Sequence, residues 1–211
     1  MRMRFLILFF LAFSPFSTSA YAGGDNAPSA SLVIQDQEDI ARVETYLNHL
    51  KSISADFIQV NDRGAMRYGV IAIERPGKMR VTYNPPDKDF IVADGSEMHI
   101  WDGETREENS ISLGSTLADF ILRDPIRLSG DVTVTNVARS AAKLEVTFRS
   151  TEDSGEGQIS LVFEDRPLKL RQWRVIDAQG STTSVSLENA REGVSFPEDT
   201  FNFVPPPNVW K

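Results

Sequence analysis

The chain has 211 residues, no cysteine, and 30 acidic against 22 basic residues, which gives a formal net charge of −8. The absence of cysteine excludes disulfides, thiol nucleophiles, thiolate metal sites and lipid attachment through cysteine. The acidic balance disfavours nucleic acid and anionic lipid headgroups as partners, because like charges repel.

The N-terminus has the three parts of a secretory signal peptide. Two arginines open it, residues 5–13 form an apolar run too short to span a bilayer, and Ala20-Tyr21-Ala22 is a small-x-small cleavage signal. We expect cleavage after Ala22, with residues 1–22 as the signal peptide and residues 23–211 as one domain with a net charge of about −10. The alternative, an uncleaved membrane anchor, is disfavoured by a proline that interrupts the apolar run.

The first element after the leader is predicted to be an amphipathic helix. Asp36-Gln37-Glu38-Asp39 is typical of an N-cap with an acidic first turn. Apolar residues then recur at helical spacing, at Ile40, Val43, Leu47, Leu50 and Ile53. A single apolar stripe of this kind predicts a helix that packs on a sheet.

From Ala55 onward the dominant pattern is period-two alternation of apolar and polar residues, the pattern of half-buried strands. Turn signals such as Pro76-Gly77, Asp94-Gly95 and Asp102-Gly103 separate the runs. We predict eleven strands, at residues 57–60, 68–73, 79–83, 90–93, 98–101, 132–137, 144–148, 159–163, 168–176, 185–187 and 201–204.

One segment between the two series of strands has helical spacing instead. Thr116 is a candidate cap with Asp119 three residues later, and Pro125 ends the segment. Its apolar residues are Leu117, Phe120 and Ile121. A short second helix is therefore expected between the two halves of the sheet.

These elements predict a mainly β protein with helices, of the α+β class. Short turns between about eleven strands favour one strongly curved antiparallel sheet or barrel. Two amphipathic helices over its concave side would enclose an apolar pocket. The residues expected to line that pocket are Ile71, Ile73, Met79, Val81, Tyr83, Met98, Leu117, Phe120 and Ile121.

The sequence offers little that points to catalysis. His49 and His99, its two histidines, have no metal-ligand or triad-like neighbour at a useful spacing, so we expect surface or edge roles for both. Gly155-Glu156-Gly157 precedes a strand and is read as a hairpin turn, not a phosphate loop. Most acidic residues fall in turns, where they cap their own backbone. We predict no metal, no cofactor and no enzymatic activity.

Four short motifs, in order, resemble the periplasmic outer-membrane lipoprotein carrier family, LolA, over essentially the whole mature region. They are Phe57-Ile58-Gln59 after the first helix, Arg75-Pro76 at a hairpin turn, Asp94-Gly95 between two strands, and Phe201-Asn202-Phe203-Val204-Pro205-Pro206 near the end. Two positions depart from the family pattern, since Met79 and Val81 stand where aromatic residues are common. Both are apolar, so they affect the shape of the pocket more than its character.

The resemblance implies an unclosed antiparallel β-barrel with a lid of short helices over an apolar cavity. It implies a periplasmic monomer that takes acylated lipoproteins from an inner-membrane ATP-driven releasing complex and delivers them to an outer-membrane receptor. The family's key arginine, which hydrogen-bonds lid carbonyls in the closed state, falls on Arg75. We therefore expect Arg75 to latch the helix around Leu117.

Three other functions are weighed against the carrier. A sister family of outer-membrane receptors shares the fold but is anchored through a lipidated cysteine, which this chain lacks. A periplasmic regulator that senses lipid or lipoprotein with the same half-barrel is the main alternative. A lipid hydrolase is disfavoured by the missing arrangement of nucleophile and base.

Overall fold

The computed structural model describes residues 34–152, 155 and 157–207. The predicted signal peptide, residues 1–22, lies outside this part of the chain, and its cleavage stays a prediction. In the described residues the elements are α1 (Ile34–His49), β1 (Ser52–Asn61), β2 (Met66–Glu74), β3 (Lys78–Tyr83), β4 (Phe90–Asp94), β5 (Glu97–Asp102), β6 (Glu107–Ser112), a 3-10 turn (Leu113–Ser115), α2 (Leu117–Leu122), β7 (Val132–Ser140), β8 (Lys143–Ser150), β9 (Gly157–Glu164), β10 (Lys169–Asp177) and β11 (Thr182–Glu192).

All eleven strands form one antiparallel sheet in the order β6-β5-β4-β3-β2-β1-β11-β10-β9-β8-β7. The pairing of β1 with β11 joins the first and last strands of the chain in the middle of the sheet. The sheet is not closed, because β6 and β7 form its two edges. This confirms the predicted mainly β fold with an unclosed antiparallel sheet.

The register of the sheet shifts at three places, and each shift bends the strand that carries it. The extra residue lies on β11 opposite Ser54 and Asp56 of β1, on β10 between Leu170 and Gln172, and on β7 between Val134 and Asn136. Bulges increase local twist, so together they help to curl an open sheet around its apolar face. The concave side of the sheet carries the main hydrophobic core.

Helix α1 covers part of this concave side, as its apolar stripe predicted. Val43 and Leu47 are buried in the core, and the ring of Tyr46 packs edge-on against Phe163 with ring centroids 5.7 Å apart. The Tyr46 hydroxyl donates to Glu192 Oε1 at 2.6 Å and accepts from the Leu170 backbone N–H at 3.0 Å. The helix is therefore held to the sheet by both apolar packing and hydrogen bonds.

Three element predictions need correction. The helix ends at His49, and Ile53 belongs to β1, where the period-two burial pattern begins at Ser52. Strand β6 was missed because its sequence is almost wholly polar and it lies at an edge of the sheet. Residues 201–204 form no strand, and the prolines that follow them lack the N–H needed to extend a ladder.

The segment at residues 200–207 instead lies over the outer face of β3 to β5. The Phe203 ring stacks on Phe90 at 5.7 Å and on His99 at 4.9 Å between centroids. Arg80 Nη1 donates to the Thr200 carbonyl at 3.2 Å. Phe203 thereby packs against a second, smaller apolar cluster formed by Phe90, Val92 and Trp101.

Replacing Phe203 should lower stability without touching the concave side. We expect Phe203→Ala to reduce the free energy of unfolding by about 1–3 kcal/mol, because a half-buried aromatic ring loses its packing. Val204→Ala is the matched control, since Val204 is 68% exposed. Urea unfolding would measure both variants, and equal stabilities would show that the segment contributes nothing to the fold.

Candidate functional site

An apolar cavity lies between the concave side of the sheet and helix α2. Its volume is about 30 Å³, room for about two water molecules. Strands β1, β2, β3, β10 and β11 supply its floor, and α2 supplies its roof. The lining residues are Phe57, Gln59, Ile71, Ile73, Met79, Val81, Tyr83, Ala118, Ile121, Leu122, Trp173, Thr183 and Val185.

The structure brings six of the nine predicted lining residues together at this cavity, namely Ile71, Ile73, Met79, Val81, Tyr83 and Ile121. It places Met98 and Phe120 elsewhere. Met98 is fully buried in the core on β5, and Phe120 packs against Phe148 on β8 with centroids 4.3 Å apart. The side chain of Leu117 lies outside the described part of the structure.

Part of the wall was missed because it comes from segments far apart in the sequence. Phe57 and Gln59 on β1 face the cavity beside Val185 on β11, since β1 and β11 are paired. Trp173 on β10 completes this side. Each segment carried the alternation that makes it a strand, but alternation alone does not show which strands are neighbours.

Helix α2 is short and turns its two faces to different surroundings. Ala118, Ile121 and Leu122 lie over the cavity, whereas Phe120 packs toward β8. The predicted side-chain cap at Thr116 is not formed, because its hydroxyl donates to the Leu113 carbonyl at 2.7 Å. Isolated helices of this length are unstable in water, so α2 depends on its contacts with the sheet and with the turn that follows β2.

That turn, at residues 75–77, contacts both helices. Arg75 Nη1 donates to the backbone carbonyl of Leu47 in the last turn of α1. The Gly77 backbone N–H donates to the Leu122 carbonyl at the end of α2, at 2.9 Å. The expectation that the Arg75 side chain bonds the helix around Leu117 is therefore wrong about the partner, because the backbone of the turn holds α2 and the guanidinium holds α1.

The Arg75 guanidinium is a positive charge in a largely apolar setting. The residue is 9% exposed, and its Nε has no hydrogen-bond partner among the described residues. Burial lowers the pKa of Arg75 to about 10, and the nearby Asp124 and Tyr46 act in the opposite direction. The side chain therefore stays charged at neutral pH, and its bond to the Leu47 carbonyl is a charge-assisted one.

Polar and charged groups lie near the end of the cavity away from Arg75. The Tyr83 hydroxyl donates to Gln59 Oε1 at 2.7 Å, and both side chains are buried. The guanidinium of Arg67 lies 3.6 Å from the Tyr83 ring centroid and is paired with Asp87 and Asp89. An apolar chamber with a charged group near each end suits a ligand that is mostly hydrocarbon.

Comparison with known proteins decides the family. A family model described as outer membrane lipoprotein carrier protein LolA matches residues 48–204, which is well over half of the chain. The chain belongs to the LolA family. This confirms the resemblance drawn from the Arg75-Pro76 turn and the Phe-x-Phe-x-Pro-Pro ending.

Relatives support the assignment to LolA. A protein from Chromobacterium violaceum named outer-membrane lipoprotein carrier protein is 28% identical over 207 residues, covering 93% of this chain and 95% of that protein. One of the same name from Legionella pneumophila is 28% identical over 177 residues, covering 79% and 86%. A solved structure, an uncharacterised conserved protein from Thermus thermophilus, has a TM-score of 0.51 at 13% identity and covers 82% of this chain and 95% of that one. The last similarity shows the fold alone.

Three of the four LolA motifs occupy distinct places in the structure. Phe57 and Gln59 form cavity wall, Arg75 starts the turn that holds the two helices, and Phe203 packs on the outer face. In the described residues no helix is long and apolar enough to cross a bilayer.

A charge placed in the cavity wall should prevent binding of an apolar probe. We expect Val81→Glu, and equally Met79→Glu, to reduce binding of a fluorescent long-chain acyl probe by at least about tenfold, because a carboxylate in an apolar cavity is desolvated without a partner. Thr82→Glu is the matched control, since Thr82 is the exposed neighbour on β3. Circular dichroism would verify that each variant is folded. Normal binding by folded Val81→Glu would show that this face of β3 is not the binding wall.

Proposed function

We propose that this protein is a periplasmic carrier that binds the acyl chains of lipoproteins released from the inner membrane and delivers them to the outer membrane. The observation that carries the proposal is the apolar cavity under a short helix, in a chain that belongs to the LolA family. Two relatives that match most of the chain are named as carriers of this kind. The donor would be an inner-membrane ATP-driven releasing complex, and the acceptor an outer-membrane receptor.

The size of the cavity supports a carrier that must open. Space for about two water molecules holds no acyl chain, so α2 has to move away from the floor before a ligand enters. Acyl burial contributes about 0.8 kcal/mol per methylene, which is enough to offset the loss of the contacts between α2 and the sheet. The empty, closed protein and the loaded, open protein are then two states whose populations the ligand shifts.

Release is the step that the Arg75 turn serves. A carrier that bound acyl chains with nothing to oppose them would keep its ligand, because hydrocarbon is always better buried than exposed. Bonds from Arg75 to α1 and from Gly77 to α2 stabilise the closed state and so favour unloading. In this proposal the turn sets the balance between loading and release.

What co-purifies with the exported protein distinguishes the carrier from the lipid-sensing regulator. Acylated lipoproteins in the extract, detected by mass spectrometry, would support the carrier. Phospholipid alone would support the regulator and contradict the carrier. The chemistry of the bound molecule therefore decides between two functions that share the same cavity.

Replacing Arg75 should impair release of the ligand more than its loading. We expect Arg75→Leu to accept a triacylated lipopeptide normally but to pass it to outer-membrane acceptor vesicles about tenfold more slowly, since a hydrogen bond to a charged donor is worth about 1.5–3 kcal/mol. Lys78→Leu is the matched control, because this substitution also removes a positive charge near the same turn. The Lys78 side chain is 45% exposed, so little packing is lost. Transfer by Arg75→Leu at the wild-type rate would remove Arg75 from the release step.

The compartment can be tested directly. We expect the protein to be released by osmotic shock with an N-terminus near Gly23, as the cleavage signal at Ala20-Tyr21-Ala22 predicts. Edman or mass-spectrometric sequencing of the released protein gives the start of the mature chain. Recovery in the membrane pellet with residues 1–22 intact would contradict a freely diffusing periplasmic carrier.

A further inference from the structure

One end of the cavity is bounded by residues with polar side chains, although the surface that they present to the closed cavity is almost wholly apolar. Three of its lining residues have polar side chains, Gln59, Tyr83 and Thr183, and each is at most 6% exposed. The remaining lining residues are apolar. Each buried polar side chain carries a desolvation cost that a hydrogen bond has to offset.

These three residues lie on neighbouring strands, toward the end of the cavity away from Arg75. Gln59 is paired with Val185 across β1 and β11, and Thr183 is two residues from Val185 on the same face of β11. Tyr83 reaches Gln59 directly through its hydroxyl. Arg75 follows β2 beside the start of β1. Ile53, near that start, is about 20 Å from Gln59 at about 3.4 Å per strand residue.

The fold makes room for this group. Gly69 on β2 pairs with Phe57 on one side and with Tyr83 on the other. A Cβ at Gly69 would overlap the Thr82 carbonyl and the Phe57 ring, so glycine allows the two rings to meet edge to face, with centroids 5.4 Å apart. Burial raises the pKa of Tyr83, so its hydroxyl keeps its proton and stays a hydrogen-bond donor.

We propose that Gln59, Tyr83 and Thr183 form a polar subsite that binds the ester and amide carbonyls through which the acyl chains are joined to the head of the lipoprotein. The inference rests on the proposed function and adds an orientation to it. In the closed protein Tyr83 and Gln59 bond to each other, which satisfies both while the cavity is empty.

When a ligand enters, the Tyr83 hydroxyl and the Gln59 amide turn to its carbonyls, and the acyl chains run along the strands toward Ile53 and Arg75. The head of the ligand then leaves the cavity beside Arg67, Asp87 and Asp89, whose side chains are partly exposed. The Arg67 charge, held at 3.6 Å over the Tyr83 ring, fixes the ring that carries the donor. Polar groups that are few and placed at one end of an apolar pocket set the orientation of its ligand.

The test compares two lipopeptides that differ only in their carbonyls. One is a tripalmitoyl lipopeptide with ester-linked chains, and the other carries hexadecyl ethers in place of the two esters. An equimolar mixture is offered to the purified mature protein, and mass spectrometry of the bound fraction gives the ester-to-ether ratio. Because both ligands compete for the same molecules of protein, changes in overall stability cancel from this ratio.

We expect the wild-type protein to prefer the ester form by about three- to tenfold, the range for one or two neutral hydrogen bonds. Tyr83→Phe keeps the ring contact with Phe57 and removes only the hydroxyl, and it should bring the ratio close to one. Gln59→Met should do the same and serves as a second variant if the first folds poorly. Tyr68→Phe, on the outer face of β2 and 49% exposed in the parent protein, should leave the ratio unchanged.

Two results would overturn the subsite while leaving the carrier intact: equal binding of both ligands by the wild-type protein, or a preference that persists in both variants. The second would place the polar end of the ligand elsewhere, as at Arg75. If the wild-type protein binds neither lipopeptide, the proposed carrier function fails together with the subsite.

Discussion

The concave face of the open sheet cannot be left in water, and the rest of the structure follows from how that face is covered. A closed barrel or a second sheet would bury it permanently. Here two helices of unequal length cover it, and the shorter one, α2, depends on its contacts because a helix of six residues is unstable alone. The proposed function requires a cover that excludes water when it is closed and that gives way to a ligand burying more apolar surface.

The turn at residues 75–77 links the two parts of this cover. Its arginine side chain bonds α1 and its glycine N–H bonds α2, so displacement of either helix removes a bond from the same short segment. The arginine is buried and charged, which makes its bond strong but also makes the closed state costly to form. A carrier needs an empty closed state and a loaded open state of similar free energy, because it must release a ligand that burial alone would retain. Near the other end of the cavity, the hydrogen-bonded side chains of Gln59 and Tyr83 are polar but uncharged.

Much of the fold could be predicted from the sequence, because strands with one buried face alternate and this chain alternates through most of its length. The prediction failed where a strand lacks this alternation, and where a segment that is not a strand has it for another reason. Strand β6 is polar on both faces, with only Ile111 half-buried, whereas Phe201 and Phe203 alternate because one face of a non-strand segment packs on the sheet. Only part of the cavity wall could be predicted. Met79 and Val81 follow from local alternation, whereas Trp173 and Val185 reach the cavity because of the order of the strands in the sheet. The hydrogen-bond partner of Arg75 likewise depends on where α1 ends. The helical spacing predicted a helix that continues to Ile53, but α1 ends at His49.

The movement of α2 is the central claim, and a distance measurement tests it most directly. Because the chain has no cysteine, Asp119→Cys on α2 and Thr82→Cys on the outer side of β3 would give two unique sites for spin labels. Double electron–electron resonance would then report the label separation in the empty protein and after addition of a tripalmitoyl lipopeptide. We expect one short distance in the empty protein and a distribution several ångströms longer in the loaded one. An unchanged distribution in protein that has demonstrably bound the lipopeptide would contradict an opening at α2.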